Sequence, residues 1–187
     1  MSPVKMILVF APWLAFLVIA QGSLFRLKIG LLFALVLCIV LGVLRIHRGI
    51  ILWTGLVFFF FSAVLVIGFE DSFFIQYMGV MTSGFLGLAA WIGIVRGKPF
   101  TLDYAREQVG KEVWGNKEFI RSNTFVSSFW AFIFSLNAVL AYGKINHFLV
   151  SGLIYEVASN SMLIFAVIFT SWYTRLARAK RQQYHVS

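Results

Sequence analysis

Between residues 145 and 174 the only Asp, Glu, Lys or Arg is Glu156, embedded in an otherwise apolar run. Asn160 follows it by four residues and Gly152 precedes it by four, a spacing that puts all three on one helical face. In the preceding apolar run, Asn137 lies about as far from the intervening turn as Glu156 does, counting roughly 1.5 Å per helical residue. A carboxylate in hydrocarbon costs roughly 2.5–3.5 kcal/mol or more unless it finds a partner. The spacing therefore predicts an interhelical polar cluster of Asn137, Glu156 and Asn160, in which an Asn amide donates to the carboxylate. A functional reading makes Glu156 a proton or cation site on a polar path. A structural reading makes it a packing lock, or a carboxylate that reaches back to the nearby outer surface. One isolated carboxylate lacks the chain of titratable groups a proton path needs, which favours structure.

The remaining reactive residues do not converge. His47, His147 and His185 fall at three different places along the chain, and no HExxH, P-loop or GxSxG pattern occurs. Asp103 and Glu107 stand four apart, but Arg106 and Lys111 beside them point to surface pairing. Cys38 is the only cysteine, which excludes an intramolecular disulfide and a CxxC redox site. No catalytic residue, metal or cofactor is expected. An enzyme acting on lipid would need several carboxylates or histidines gathered near the membrane interface.

The elements that carry these residues are six apolar runs. Residues 6–25, 29–44, 49–69, 72–95 and 122–143 hold no Asp, Glu, Lys or Arg, and 145–174 holds Glu156 alone. Crossing a bilayer takes about 20 apolar residues in a helix, whose backbone bonds itself where water is absent. Apolar content of 60% and a mean hydropathy of +0.88 exceed the usage of soluble domains, about 45–50% apolar. The expected fold is all-α: a polytopic membrane protein, one bundle of six transmembrane helices over approximately 4–21, 29–45, 50–69, 73–95, 123–143 and 148–172. The first run, with Lys5 and a Val18-Ile19-Ala20 ending, also resembles a secretory signal; Pro12 and Trp13 interrupt it, and an uncleaved first span is expected.

The net charge of +9 sits at the ends of these runs, which points to a bilayer with anionic lipids as partner rather than to nucleic acid. With the N-terminus cytoplasmic, thirteen of the sixteen basic residues fall inside; Arg26, Lys28 and Lys144 are outside. Both termini are then cytoplasmic, including the basic tail 173–187 with Arg175, Arg178, Lys180 and Arg181. Glu70 and Asp71 mark an external turn. The 96–122 loop is the one connection with room for structure. Leu102, Ala105, Val109 and Val113 recur at helical spacing, Thr101 can cap the start, and Phe100 and Trp114 flank the stripe. A short helix in the cytoplasmic interface is expected there, with a solvated charged loop as the alternative.

Helices in lipid associate through small residues and polar side chains. Gly30, Ala34, Cys38 and Gly42 form one stripe at four-residue spacing, Gly79, Ser83 and Gly87 a second, and Ser127, Ala131 and Ser135 a third. They predict a compact bundle and leave a homo-oligomer open.

Several short motifs together resemble the bacterial intracellular septation protein A family, also called inner-membrane-spanning protein YciB. They are Phe10-Ala11-Pro12, the step Lys98-Pro99, the segment Glu118-Phe119-Ile120-Arg121-Ser122-Asn123, and the fourteen-residue step from Asn123 to Asn137 closed by Ala141. Trp130 and the run Phe129 to Phe134 fill the span between. The resemblance covers roughly residues 6–143. Phe119 stands where that family prefers Trp, the 96–122 loop is longer, and the last span is more polar. What the resemblance implies is a non-enzymatic role in envelope maintenance or septation at the bacterial cytoplasmic (inner) membrane, through contacts with other envelope or division proteins. Lys98, Pro99, Phe100, Arg106, Trp114, Arg121 and Asn123 are the expected contact residues of the cytoplasmic loop. The competing expectation is a small oligomeric transporter or channel with its polar path at Asn137, Glu156 and Asn160.

Overall fold

The computed structural model describes residues 3–44, 49–106, 109–146 and 152–184, with side-chain surroundings for 10–44, 49–106, 109–146 and 152–177. Arg45, His47, Arg48, Glu107, His147 and His185 lie outside the described residues. Every regular element among those described is helical. The chain runs through α1 (Pro3–Ile19), α2 (Leu24–Val43) and α3 (Ile50–Ala63), the last continuing into a π-helical turn, Val64–Gly68. It goes on through α4 (Ser72–Gln76), α5 (Met78–Val95), α6 (Phe100–Arg106), α7 (Lys117–Ile145) and α8 (Gly152–Tyr184).

Among the described residues five segments are long and apolar enough to cross a bilayer: Leu24–Val43, Ile50–Gly68, Met78–Val95, Lys117–Ile145 and Gly152–Ala177. Several helices of this length and composition mark a multi-pass membrane protein. α1 has 17 residues, short of that length, with Pro12 inside it. It is nevertheless part of the core, since Phe10, Trp13 and Phe16 are buried.

Local chemistry explains where the helices begin and end. The side chains of Ser23, Asp71 and Asn116 cap α2, α4 and α7 by accepting from backbone N–H groups of the first turn. At the end of α5, Gly97 takes φ +67°, its N–H reaches the Ile94 carbonyl, and the Lys98 N–H reaches that of Gly93. Paired bonds of this kind around a left-handed glycine close a helix and turn the chain sharply. A side chain at Gly93 is excluded on the same account, because a Cβ there would lie 2.9 Å from the Lys98 carbonyl oxygen.

The small-residue stripes are where helices meet. A Cβ on Gly30 would come within 3.0 Å of the Ala20 Cβ at the end of α1, and one on Gly55 within 3.1 Å of both Cys38 Sγ and Trp13 Nε1. Gly30, Ala34 and Cys38 are buried, and Gly42 stands opposite Leu52 of α3. The most extensive contact joins α5 to α7, with Gly79 against Ala141 and Gly87 against Ser135 and Phe134. Each stripe thus faces a neighbouring helix of the same chain. Between them Phe10 stacks on Trp130 at 5.2 Å and Trp13 on Phe58 at 5.3 Å, so aromatic rings fill the space that small residues open.

Several expectations are corrected. The run 73–95 is two helices rather than one, α4 and α5 being joined through Tyr77. α7 begins at Lys117, six residues before the expected span, because Asn116 caps it there. α8 runs to Tyr184, and 33 residues at roughly 1.5 Å each exceed a hydrocarbon core of about 30 Å. In the 96–122 segment the helix covers only Phe100–Arg106, and Val113 belongs to a separate 3₁₀ turn, Lys111–Val113. Gly110 is extended (φ −62°, ψ 156°), which ends the helical stripe that Leu102, Ala105, Val109 and Val113 suggest. Thr101 lies within α6 and does not cap it.

Candidate functional site

Asn137 is 3% exposed, and both the amide nitrogen and the oxygen of its side chain are hydrogen-bonded. Its Nδ2 donates to the Ile133 carbonyl one turn earlier (3.0 Å), and its Oδ1 accepts from the Ser159 hydroxyl of α8. Two turns along α7, the indole N–H of Trp130 donates to Thr170 Oγ1 at 2.9 Å, and both residues are buried. Between and beyond these bonds Phe125 and Phe129 interleave with Phe165, Phe169 and Tyr173. α8 packs principally on α7. Two hydrogen bonds and an aromatic ladder therefore join the last helix to α7. In a membrane such polar pairs are the specific part of the attachment, since lipid competes equally well for the apolar surface.

Glu156 does not join this cluster. It pairs with Lys144 at the turn end of α7, with half of its side chain exposed. Asn137 is level with Ser159, whereas Glu156 is level with Lys144, two turns nearer the end of α7, so the equal depth that residue counting suggests for Asn137 and Glu156 is not met. Ser159 lies on the side of α8 that meets Asn137, whereas Glu156 points towards the Lys144 end. The opposite charges of Lys144 and Glu156, flanking one short turn, were the signal in the sequence that could have shown this. Asn160 is exposed and makes no hydrogen bond within the described residues. A polar path through Asn137, Glu156 and Asn160 thus loses its ionisable member.

Around the Asn137–Ser159 bond the structure encloses a cleft of about 180 Å³. α1 forms one wall with Phe10, Leu14 and Leu17, α8 the other with Asn160, Leu163 and Ile164; α5 and α7 form its floor. Among the described residues no charged side chain lines it.

The 96–122 segment forms a second ordered region. Phe100, Thr101, Leu102 and Tyr104 are buried, Thr101 Oγ1 donates to the Asn123 carbonyl (2.8 Å) and lies 2.9 Å from Ser127 Oγ. The Thr101 N–H also reaches Ser127 Oγ at 3.3 Å. Asn123, buried, returns its amide to the Phe119 carbonyl at 2.8 Å. Pro99 is buried at the start of α6, and Phe100 meets Phe10 edge-on at 6.1 Å. The Arg106 guanidinium sits 5.4 Å from the Trp114 ring, whose N–H donates to the Arg106 carbonyl. Lys98 and Arg121 are exposed. Of the expected loop contacts, then, Pro99, Phe100 and Asn123 face inward and anchor the segment, Arg106 and Trp114 bind each other, and Lys98 and Arg121 face out.

Among the described residues no three His, Cys, Asp or Glu side chains come together. The sequence matches no family model, no curated protein and no solved structure.

Proposed function

We propose that this chain is a six-span protein of the bacterial cytoplasmic membrane, with both termini in the cytoplasm, that acts without catalysis in envelope maintenance or septation. It would do so by contacting other membrane proteins. The short motifs shared with the intracellular septation protein A family support the envelope role, and the burial of Phe10, Trp13 and Phe16 supports α1 as the sixth span.

The observation that carries the reading is the docking of α6 onto α7 through Thr101, Asn123 and Ser127. A loop that served only to connect two spans would have no need of buried side chains and cross-helix bonds. Held this way, 96–122 presents Lys98, Lys111, Lys117 and Arg121 on a fixed surface beside the bundle. Rigid presentation lowers the entropy lost when a partner binds. The polar residues within the spans meanwhile hold helix to helix, as in Asn137–Ser159, Trp130–Thr170 and Trp91–Ser135.

The test is photo-crosslinking in cells from a reactive residue placed at Lys98 or Arg121, followed by identification of the adducts. The account expects membrane proteins of the division or wall-synthesis machinery, with the adducts lost when Thr101→Val frees α6. Adducts with lipid alone at both positions would contradict it.

A further inference from the structure

The cleft between α1 and α8 contains an imbalance that the bundle itself does not explain. Five polar side chains gather at one end of it: Thr82 and Ser83 from α5, Asn137 from α7, Ser159 and Asn160 from α8. Three are satisfied within the chain, since Thr82 donates to the Met78 carbonyl at 2.7 Å and Asn137 pairs with Ser159. Ser83 and Asn160 have no hydrogen-bond partner among the described residues. An amide or hydroxyl left unpaired in hydrocarbon costs several kcal/mol. Away from this polar end the walls are Leu14, Leu163, Ile164, Val167, Trp130 and Phe134. The cleft is therefore hydrogen-bonding at one end and apolar along the rest.

We propose that this cleft binds one acyl chain of a membrane glycerolipid, with the ester carbonyl at Asn160 and Ser83. The inference rests on α1 and α8 both lying in the bilayer. Three features select this occupant. First, the rim residues Leu14, Asn160 and Ile164 are exposed, so the cleft opens sideways to whatever surrounds these apolar helices, and in a membrane that is lipid. Second, the unpaired groups are an amide and a hydroxyl, both able to donate, which match a carbonyl acceptor. Among the described residues no Lys or Arg lines the cleft to hold a phosphate, which fits a neutral part of the lipid. Third, the volume of about 180 Å³ exceeds the ~150 Å³ of an apolar cavity that admits a benzene-sized guest. It suits a segment of a chain whose remainder continues into the bilayer.

The experiment uses the full chain in vesicles of phosphatidylethanolamine and phosphatidylglycerol. A small fraction of the phosphatidylethanolamine carries a photoactivatable diazirine in mid-chain, and adducts are mapped by peptide mass spectrometry. Adducts should concentrate on Leu14, Leu17 and Leu163 relative to Val157 and Ile168, which are exposed on α8 outside the cleft. Asn160→Leu should reduce cleft adducts about two- to tenfold, the worth of one net hydrogen bond. An ether-linked probe, which lacks the carbonyl and so loses both Asn160 and Ser83, should show at least that reduction in the unaltered protein and the same labelling in Asn160→Leu. Leu163→Trp, which fills the cleft, should remove the preference altogether. Equal labelling of cleft and outer positions overturns the site while leaving the membrane reading intact. Labelling at none of these positions overturns both.

Discussion

Asn137 of α7 and Ser159 of α8 are joined by a partly buried hydrogen bond, while Glu156, one turn away, turns aside to pair with Lys144. Within the span the last helix is thus joined to α7 by neutral side chains, while its one carboxylate pairs at the turn end.

Removing that bond should loosen α8 without unfolding the rest. Asn137→Leu and Ser159→Ala are each expected to cost about 0.6 kcal/mol, with about 1.7 as the upper end for polar pairs in membrane proteins. A double-mutant cycle on unfolding in lipid discs should show the two effects to be non-additive. Glu156→Gln should leave this coupling unchanged; additivity of the first pair would show that the bond contributes nothing.

Thr101 serves both α6 and α7, so Thr101→Val should remove the hydroxyl's bond to the Asn123 carbonyl and its contact with Ser127 Oγ, leaving the Thr101 N–H as the one remaining bond to Ser127. The expected cost is about 0.5–1.5 kcal/mol, the net worth of a hydrogen bond whose partners keep other bonds. It should appear as faster amide exchange and proteolysis within 100–106, with α7 and α8 protected as before. Unchanged exchange in α6 would mean that its buried aromatic residues alone hold it.

Two glycines at the α5–α6 corner should differ in kind. Gly97→Ala forces a side chain into φ +67° with open space around it, and should cost about 1–2 kcal/mol of backbone strain. Gly93→Ala places a methyl against the Lys98 carbonyl and should cost about 1–3 kcal/mol through displacement of the turn. Asn at position 97, which tolerates the left-handed region better than Ala, should rescue the first and has no counterpart for the second. Thermal unfolding in detergent, read at equal protein concentration, distinguishes them.

At the opposite end of the bundle, the hydrogen bond from Lys28 and then its charge hold the Glu70 carboxyl below the usual range. A depressed carboxylate pKa means the pairing is present above the ordinary Glu value of about 4.3 and is lost as pH falls through the lowered one. Lys28→Ala should return Glu70 to the ordinary range in a carbon-13 carboxyl titration. The same midpoint in both proteins would show that the pair does not persist in solution.

Length and hydropathy made the apolar helices legible, because the backbone has one economical solution in lipid. The stripes were legible for a similar reason: Gly30, Cys38, Gly79 and Gly87 lie where backbones approach, and four-residue spacing suffices to find such lines. Glu156 lies outside the cluster because the levels at which two helices pair, and the faces they turn to each other, depend on how α7 and α8 pack and not on residues counted from the turn. Thr101 read as a cap because its type and place fit one; only the position of α7 reveals that its hydroxyl bonds across the gap. The cleft was invisible for the same reason, being assembled from four helices distant in sequence.

The central claim is that these helices cross a bilayer with the 96–122 segment on the cytoplasmic side. Cys38, the only cysteine, is buried, so single cysteines at Ser72 and Gly115, both exposed, can be probed with a membrane-impermeant maleimide in a Cys38→Ala background. The account predicts that Ser72→Cys labels in intact cells and Gly115→Cys only after permeabilisation. Labelling of Gly115→Cys in intact cells would contradict it.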